Sequence, residues 1–107
     1  MRMLMKVSIP VETGNTAAVK GSLVATIQQI LADLRPEAAY FSEEDGQRTG
    51  YIFFEMKDSS QLPSIAEPWF LALSARVTVR PAMTLKDLAE GFPGMQSAVK
   101  SYARATP

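Results

Sequence analysis

The sequence predicts an α+β domain built in the order βαββαβ, an antiparallel four-stranded sheet with two helices on one face and a helical tail. Three observations predict it. Short segments alternate apolar and polar residues near both ends of the 107-residue chain, two longer segments carry apolar residues at helical spacing, and an Asp45-Gly46 pair separates two strand-like runs. A chain of this length forms one domain, 1–107, and buries roughly two-thirds of its unfolded surface. Its core spans about 3–83 and its helical tail 84–105.

Met3 to Ile9 (MLMKVSI) alternates, with Met3, Met5, Val7 and Ile9 on one face and Leu4, Lys6 and Ser8 on the other; Pro10 ends this strand. Val11 to Gly21 carries two glycines and small polar residues, and reads as a loop or a frayed helical start. Ser22 stands as an N-cap, and Leu23, Ile27, Ile30, Leu31 and Leu34 then form one helical face that Pro36 stops. Ala38 to Phe41 is a short strand. Asp45-Gly46 turns the chain, because glycine adopts positive φ without strain, and Arg48 to Asp58 (RTGYIFFEMKD) is the returning strand.

Asp58 and Gln61 have capping-box spacing for a second helix with its stripe at Leu62, Ile65, Ala66, Trp69, Phe70 and Leu73. Pro63 lies harmlessly in the first turn, whereas Pro68 removes an interior hydrogen bond and predicts a bend beside the sole tryptophan. Arg76 to Arg80 alternates as the last strand and Pro81 closes it. Thr84 with Asp87 starts a short helix through Leu85, Leu88 and Ala89; GFPG at 91–94 breaks it, and Met95, Ala98, Val99 and Tyr102 resume helical spacing.

Right-handed crossovers turn this order into a ferredoxin-like sheet, spatial order 4-1-3-2, with both helices on one face. The run Tyr51-Ile52-Phe53-Phe54 is apolar toward both faces, and Glu55 follows it. Tyr51, Phe53 and Glu55 are expected on the face away from the helices, since a carboxylate pressed beneath them would lack a partner. There Glu55 is expected to meet Lys6. An open face carrying Leu4, Tyr51 and Phe53 is an apolar patch that a small monomer rarely leaves wet.

The stretches PEAAYF, GYIFFEMKD and IAEPWFLALSA are similar to a family of small bacterial proteins of unsettled function. The element order, the size and the semi-apolar outer face resemble the dimeric α+β barrel superfamily over roughly residues 3–83. That resemblance implies a homodimer packed sheet to sheet through the outer face, with a ligand pocket inside each subunit between the sheet and its surrounding helices and loops. The superfamily includes cofactor-free monooxygenases, isomerases, dehydratases and haem-handling enzymes, several of which use histidines that this sequence lacks.

Lysine plus arginine and aspartate plus glutamate both number 11, so no basic excess draws the chain to nucleic acid. There is no cysteine and no histidine. Thiolate nucleophiles, disulfides and the usual transition-metal ligands are thereby excluded, and no metal or cofactor is expected. Any chemistry must run on carboxylates, Lys, Arg, Tyr, Ser or Thr, on a bound cofactor, or on the reactivity of the substrate itself. The apolar N-terminal stretch is too short for a membrane span and makes a poor signal peptide, which leaves the cytoplasm as the expected compartment. Gly14 to Ser22 departs from the phosphate-loop pattern, reading Val19-Lys20-Gly21-Ser22 where Gly-Lys-Ser/Thr is required.

The candidate ligand-binding residues are Lys6, Asn15, Tyr51, Glu55, Trp69 and Arg80, arranged for a small carboxylated or aromatic metabolite. Arg80 would clamp the carboxylate with Lys6 and Asn15 as polar anchors, while Trp69, Tyr40, Phe41 and Tyr51 offer aromatic walls. The plainer alternatives are an interface ion-pair cluster for Lys6, Glu55 and Arg80, and core packing for Trp69. Glu67, just before the expected bend, is an acid or base only if its cleft raises its pKa; otherwise it is solvated. Glu43, Glu44 and Asp45 read as a solvated hairpin tip. The tail with Tyr102 is expected by default to pack on its own or a partner's sheet; the alternatives are that it caps the partner or closes a pocket as a lid, with GFPG as the hinge. A competing reading of the whole chain is an interaction module whose outer sheet only mediates self-association.

Overall fold

The computed structural model describes residues 1–104, so residue 105, the last of the expected helical tail, lies outside the described residues. The elements are β1 (Arg2–Ile9), α1 (Val11–Lys20), α2 (Leu23–Leu34), β2 (Ala38–Glu44), β3 (Gln47–Glu55), α3 (Leu62–Leu73), β4 (Arg76–Pro81) and α4 (Leu85–Tyr102), with a 3-10 turn at Ser59–Gln61. All strand pairs are antiparallel and the sheet order is β2-β3-β1-β4. This is the expected 4-1-3-2 order read from the other edge, and the fold is ferredoxin-like α+β.

Strand register decides which side chains share a face. Met5 lies opposite Ile52 and Val79, and Met3 opposite Phe54, so the even spacing sends Met3, Met5, Val7, Ile9, Ile52 and Phe54 to one side. There they are buried with Ile30 of α2 and Trp69 and Leu73 of α3. Each such side chain contributes about 1.5–3 kcal/mol of hydrophobic stabilisation, and this layer is what holds α2 and α3 on the sheet. Tyr51, Phe53 and Glu55 fall on the opposite face, as the cost of burying the carboxylate requires. The β2–β3 hairpin closes through Asp45 (φ 54°) and Gly46 (φ 77°), the positive-φ pair of a two-residue turn.

Two segments differ from the sequence reading. Residues 11–20 are a regular helix rather than a loop or a frayed helical start. Pro10 sets φ at −55° just ahead of it, Glu12 and Lys20 complement the helix dipole at either end, and Gly21 (φ 75°) terminates it by donating to the carbonyl groups of the last turn. Ser22 does occupy the N-cap position of α2, but its side chain makes no capping bond; the hydroxyl donates back to the Ala17 carbonyl at 3.4 Å instead.

The second difference is the tail, where GFPG does not break the helix and no hinge results: α4 runs unbroken from Leu85 to Tyr102 through Gly91, Pro93 and Gly94. Its start is the expected one, with Thr84 and Asp87 bonding reciprocally at 2.9 and 3.1 Å. None of its residues is buried. The helix stands off the body as an arm, which is why the radius of gyration is 18.2 Å rather than the ~13 Å of a compact domain of this length. The Asp58–Gln61 capping box forms on the 3-10 turn ahead of α3, and α3 itself continues through Pro68.

Candidate functional site

Two surfaces gather side chains. The first lies on the outer face of the sheet, where register aligns Lys6 with Tyr51 and Tyr51 with Tyr40, and Leu4 with Phe53. The Lys6 ammonium and the Tyr51 hydroxyl both donate to the Glu44 carboxylate. The bond from Lys6, and then that from Tyr51, holds the Glu44 carboxyl below the ordinary carboxylate range. The same bond to Glu44 pushes the Tyr51 phenol up. Beside this cluster Ser8 donates to Gln47 at 2.7 Å, and a polar hollow of about 190 Å³ opens toward Arg76 and Thr78.

The expected Glu55–Lys6 pair does not form. Glu55 lies opposite Arg2, four places along β1 from Lys6, and pairs with the Met1 amino group instead. Lys6 turns toward β2, where the tight hairpin has brought Glu44 within reach. Glu44 is therefore a half-buried acceptor, not part of a solvated tip.

The second surface is an apolar groove on the helix side, between α2 and the β2–β3 edge. It encloses about 450 Å³, and Leu23, Ile27, Leu31 and Phe41 form much of its wall, with Arg48 at the rim. Two glycines shape it. A Cβ at Gly50 would lie 2.9 Å from the Phe41 ring, so the missing side chain is what lets that ring lie over β3. A Cβ at Gly14 would lie 2.6 Å from the Arg48 guanidinium, so Arg48 rests against α1 only because residue 14 has no side chain. Arg48 donates to the Asn15 side-chain carbonyl at 3.2 Å, and among the described residues no carboxylate pairs with it.

The six residues singled out from the sequence are thus distributed over several places. Lys6 and Tyr51 meet around Glu44. Asn15 sits on α1 as the acceptor for Arg48. Arg80 lies opposite Leu4 on the exposed outer face, and Glu55 lies at that face's end beside Arg2. Trp69 is fully buried in the core and lines neither surface. Glu44 and Arg48 carry the polar chemistry of the two surfaces and are not among the six; in the sequence Arg48 stands out only as the first residue of the returning strand. Among the described residues, no cluster of acidic, His or Cys side chains has the grouping of a metal site, and no helix is long and apolar enough to cross a membrane.

Fold and groove together define a small ferredoxin-like α+β protein with an apolar cleft between helix and sheet edge. No family model matches the chain, and no curated protein matches it. A solved structure, a formyltetrahydrofolate deformylase from Pseudomonas putida KT2440, is similar at 12% identity and a TM-score of 0.48, over 77% of this chain and 29% of that one. This chain thus spans less than a third of that protein, and at such a score the likeness bears on neither ligand nor reaction.

Proposed function

We propose that the chain binds an elongated apolar molecule bearing a carboxylate, its hydrocarbon part in the groove and its charge on Arg48. The observation that carries this reading is a cleft of about 450 Å³ with apolar walls and one guanidinium at its rim that has a neutral partner, Asn15, and no carboxylate among the described residues. The volume falls within the ~300–1,000 Å³ usual for small-molecule sites. The remaining polar lining is Gln28, Ser42 and Thr49, and the sequence holds no histidine or cysteine, so the groove offers no ready general base or nucleophile. Binding, not turnover, is the activity supported.

Calorimetric titration with decanoate and with decanol tests it. Decanoate binds more tightly than decanol by about 10–100-fold, the contribution of a charged hydrogen bond. Arg48→Gln removes the difference, and Ile27→Trp, which fills the groove, removes both. Equal binding of the acid and the alcohol by the unaltered chain overturns the reading.

A second reading concerns assembly, and the outer face favours it. Leu4, Tyr51 and Phe53 are only half-covered there and Tyr40 is 66% exposed. We infer that a second copy covers them sheet to sheet, as in dimeric α+β barrels. Such an arrangement would leave the groove, on the other side of the sheet, open to ligand.

A further inference from the structure

We propose that α4 is a dimerisation arm whose apolar stripe is covered by α4 of a second copy. The proposal is independent of the ligand-binding reading. Along α4 the apolar residues Leu85, Leu88, Phe92, Met95, Val99 and Tyr102 recur at intervals of three and four without interruption. All six are between 47% and 82% exposed. Alternating three and four is the seam of one helix against another, with Leu85, Phe92 and Val99 at one position of the repeat and Leu88, Met95 and Tyr102 at the other.

The rest of the helix agrees with this. Its charged residues, Lys86, Asp87, Glu90 and Lys100, all lie off the seam, and Lys86 and Glu90 pair at 3.8 Å across the back. The positions flanking the seam are Ala89, Gly91, Gln96 and Ala98, small or uncharged, which lets a second backbone approach closely. Two lysines balance one aspartate and one glutamate, so two copies of the arm do not repel.

Alone, the arm is a poor helix. Each interior glycine costs about 1 kcal/mol and the proline about 3 kcal/mol relative to alanine, and no buried contact with the body compensates. The other long helices cannot serve as its partner within the chain, since the stripes of α2 and α3 already face the core. A second α4 offers a stripe of identical spacing, the self-complementarity of a two-fold interface. Taking about half of the ~150–250 Å² that a large side chain can bury for each of the six, two stripes remove at most about 1,200 Å² from water when fully covered, the lower bound of the ~1,200–2,000 Å² typical of stable interfaces. The first turn of α4 also borders Arg2 and Glu55 at one end of the outer sheet face.

The absence of native cysteine makes the test direct. Phe92→Cys and Met95→Cys variants of the full chain are oxidised separately and mixed, with Lys86→Cys on the back of the helix as control. Disulfide-linked dimers form about tenfold faster than in the control, like with like if the arms run parallel and in the mixture if they run antiparallel. In equilibrium sedimentation Met95→Glu weakens the dimer about a hundredfold, because it buries a carboxylate without a partner, with the body's fold verified by the near-ultraviolet signal of Trp69. Cross-linking no faster than the control overturns the proposal. So does a monomeric wild type whose α4 binds phosphatidylcholine vesicles instead. A dimer lost with Phe53→Asp and unaltered by Met95→Glu assigns the interface to the sheet alone and equally overturns it.

Discussion

Replacing Gly14 by alanine separates stability from binding, and the structure says by how much. The new Cβ would lie 2.6 Å from Arg48 Nη1 and 3.3 Å from Arg48 Cδ and Cζ. These atoms belong to a long, exposed side chain, so Arg48 yields and α1 does not. To restore an ordinary contact of about 3.5–4 Å the guanidinium must retreat by roughly 1 Å, which breaks its bond to Asn15. That loss costs about 0.5–1.5 kcal/mol. Against it, alanine in a helix interior is favoured over glycine by about 0.8–1 kcal/mol. The two nearly cancel, so stability changes by less than about 1 kcal/mol. On the proposed reading ligand binding has no such compensation, because the guanidinium leaves the position in which Asn15 holds it at the groove rim, and decanoate affinity should fall about tenfold or more while decanol is unaffected. Urea denaturation and calorimetric titration of the same sample measure both quantities. A destabilisation above ~2 kcal/mol would show that backbone gives way rather than Arg48, and full decanoate affinity in a stable Gly14→Ala protein would show that Arg48 does not hold the carboxylate.

Two further predictions concern the outer face. Glu44 has a depressed pKa in the fold, so its contribution to stability is present above the ordinary carboxylate value and is lost as pH falls through the depressed one; the stability difference between wild type and Glu44→Gln should shrink steadily as the solution is acidified. Tyr51 is shifted the other way, and its contribution is lost only as pH rises through its raised value. Glu44→Gln should therefore move the last of the tyrosinate absorbance transitions downward, and an unchanged alkaline titration would mean that the Tyr51–Glu44 bond does not persist in solution. Phe53→Asp places a charge at the centre of the outer face and should give a monomer or an insoluble chain; an unperturbed dimer in equilibrium sedimentation would remove that face from the interface.

What the sequence made legible were the features that depend on nearest neighbours along the chain. Alternation in Met3–Ile9, the Asp45-Gly46 turn and the isolation of Glu55 among apolar residues were enough to define the sheet and to orient β3 correctly. The α1 segment reads no better than a loop or a frayed helical start because its ten residues carry no apolar stripe, although Pro10 before it and Gly21 after it are the punctuation of a helix. In α4 the reverse error occurred. Glycine and proline at GFPG were read as a break, while the three-and-four spacing passes through that motif from Leu88 to Phe92 to Met95 without losing step.

The polar partners were harder to see, since each is made across elements. Lys6 finds Glu44 thirty-eight residues away and Arg48 finds Asn15 thirty-three away, at distances set by hairpin twist and helix placement and by nothing local. Even so, the groove left a trace in the sequence. Gly14 and Gly50 occupy a helix and a strand, where glycine costs stability and no turn demands it. Each stands against the side chain that would collide with a Cβ there, Arg48 for the one and Phe41 for the other. Gly91 and Gly94 of α4 also lie inside a regular element, but nothing stands within 4 Å of a Cβ built there. A glycine in the interior of an element marks a close approach only where another group is in fact near, and in this chain the two that meet that condition flank the same cleft.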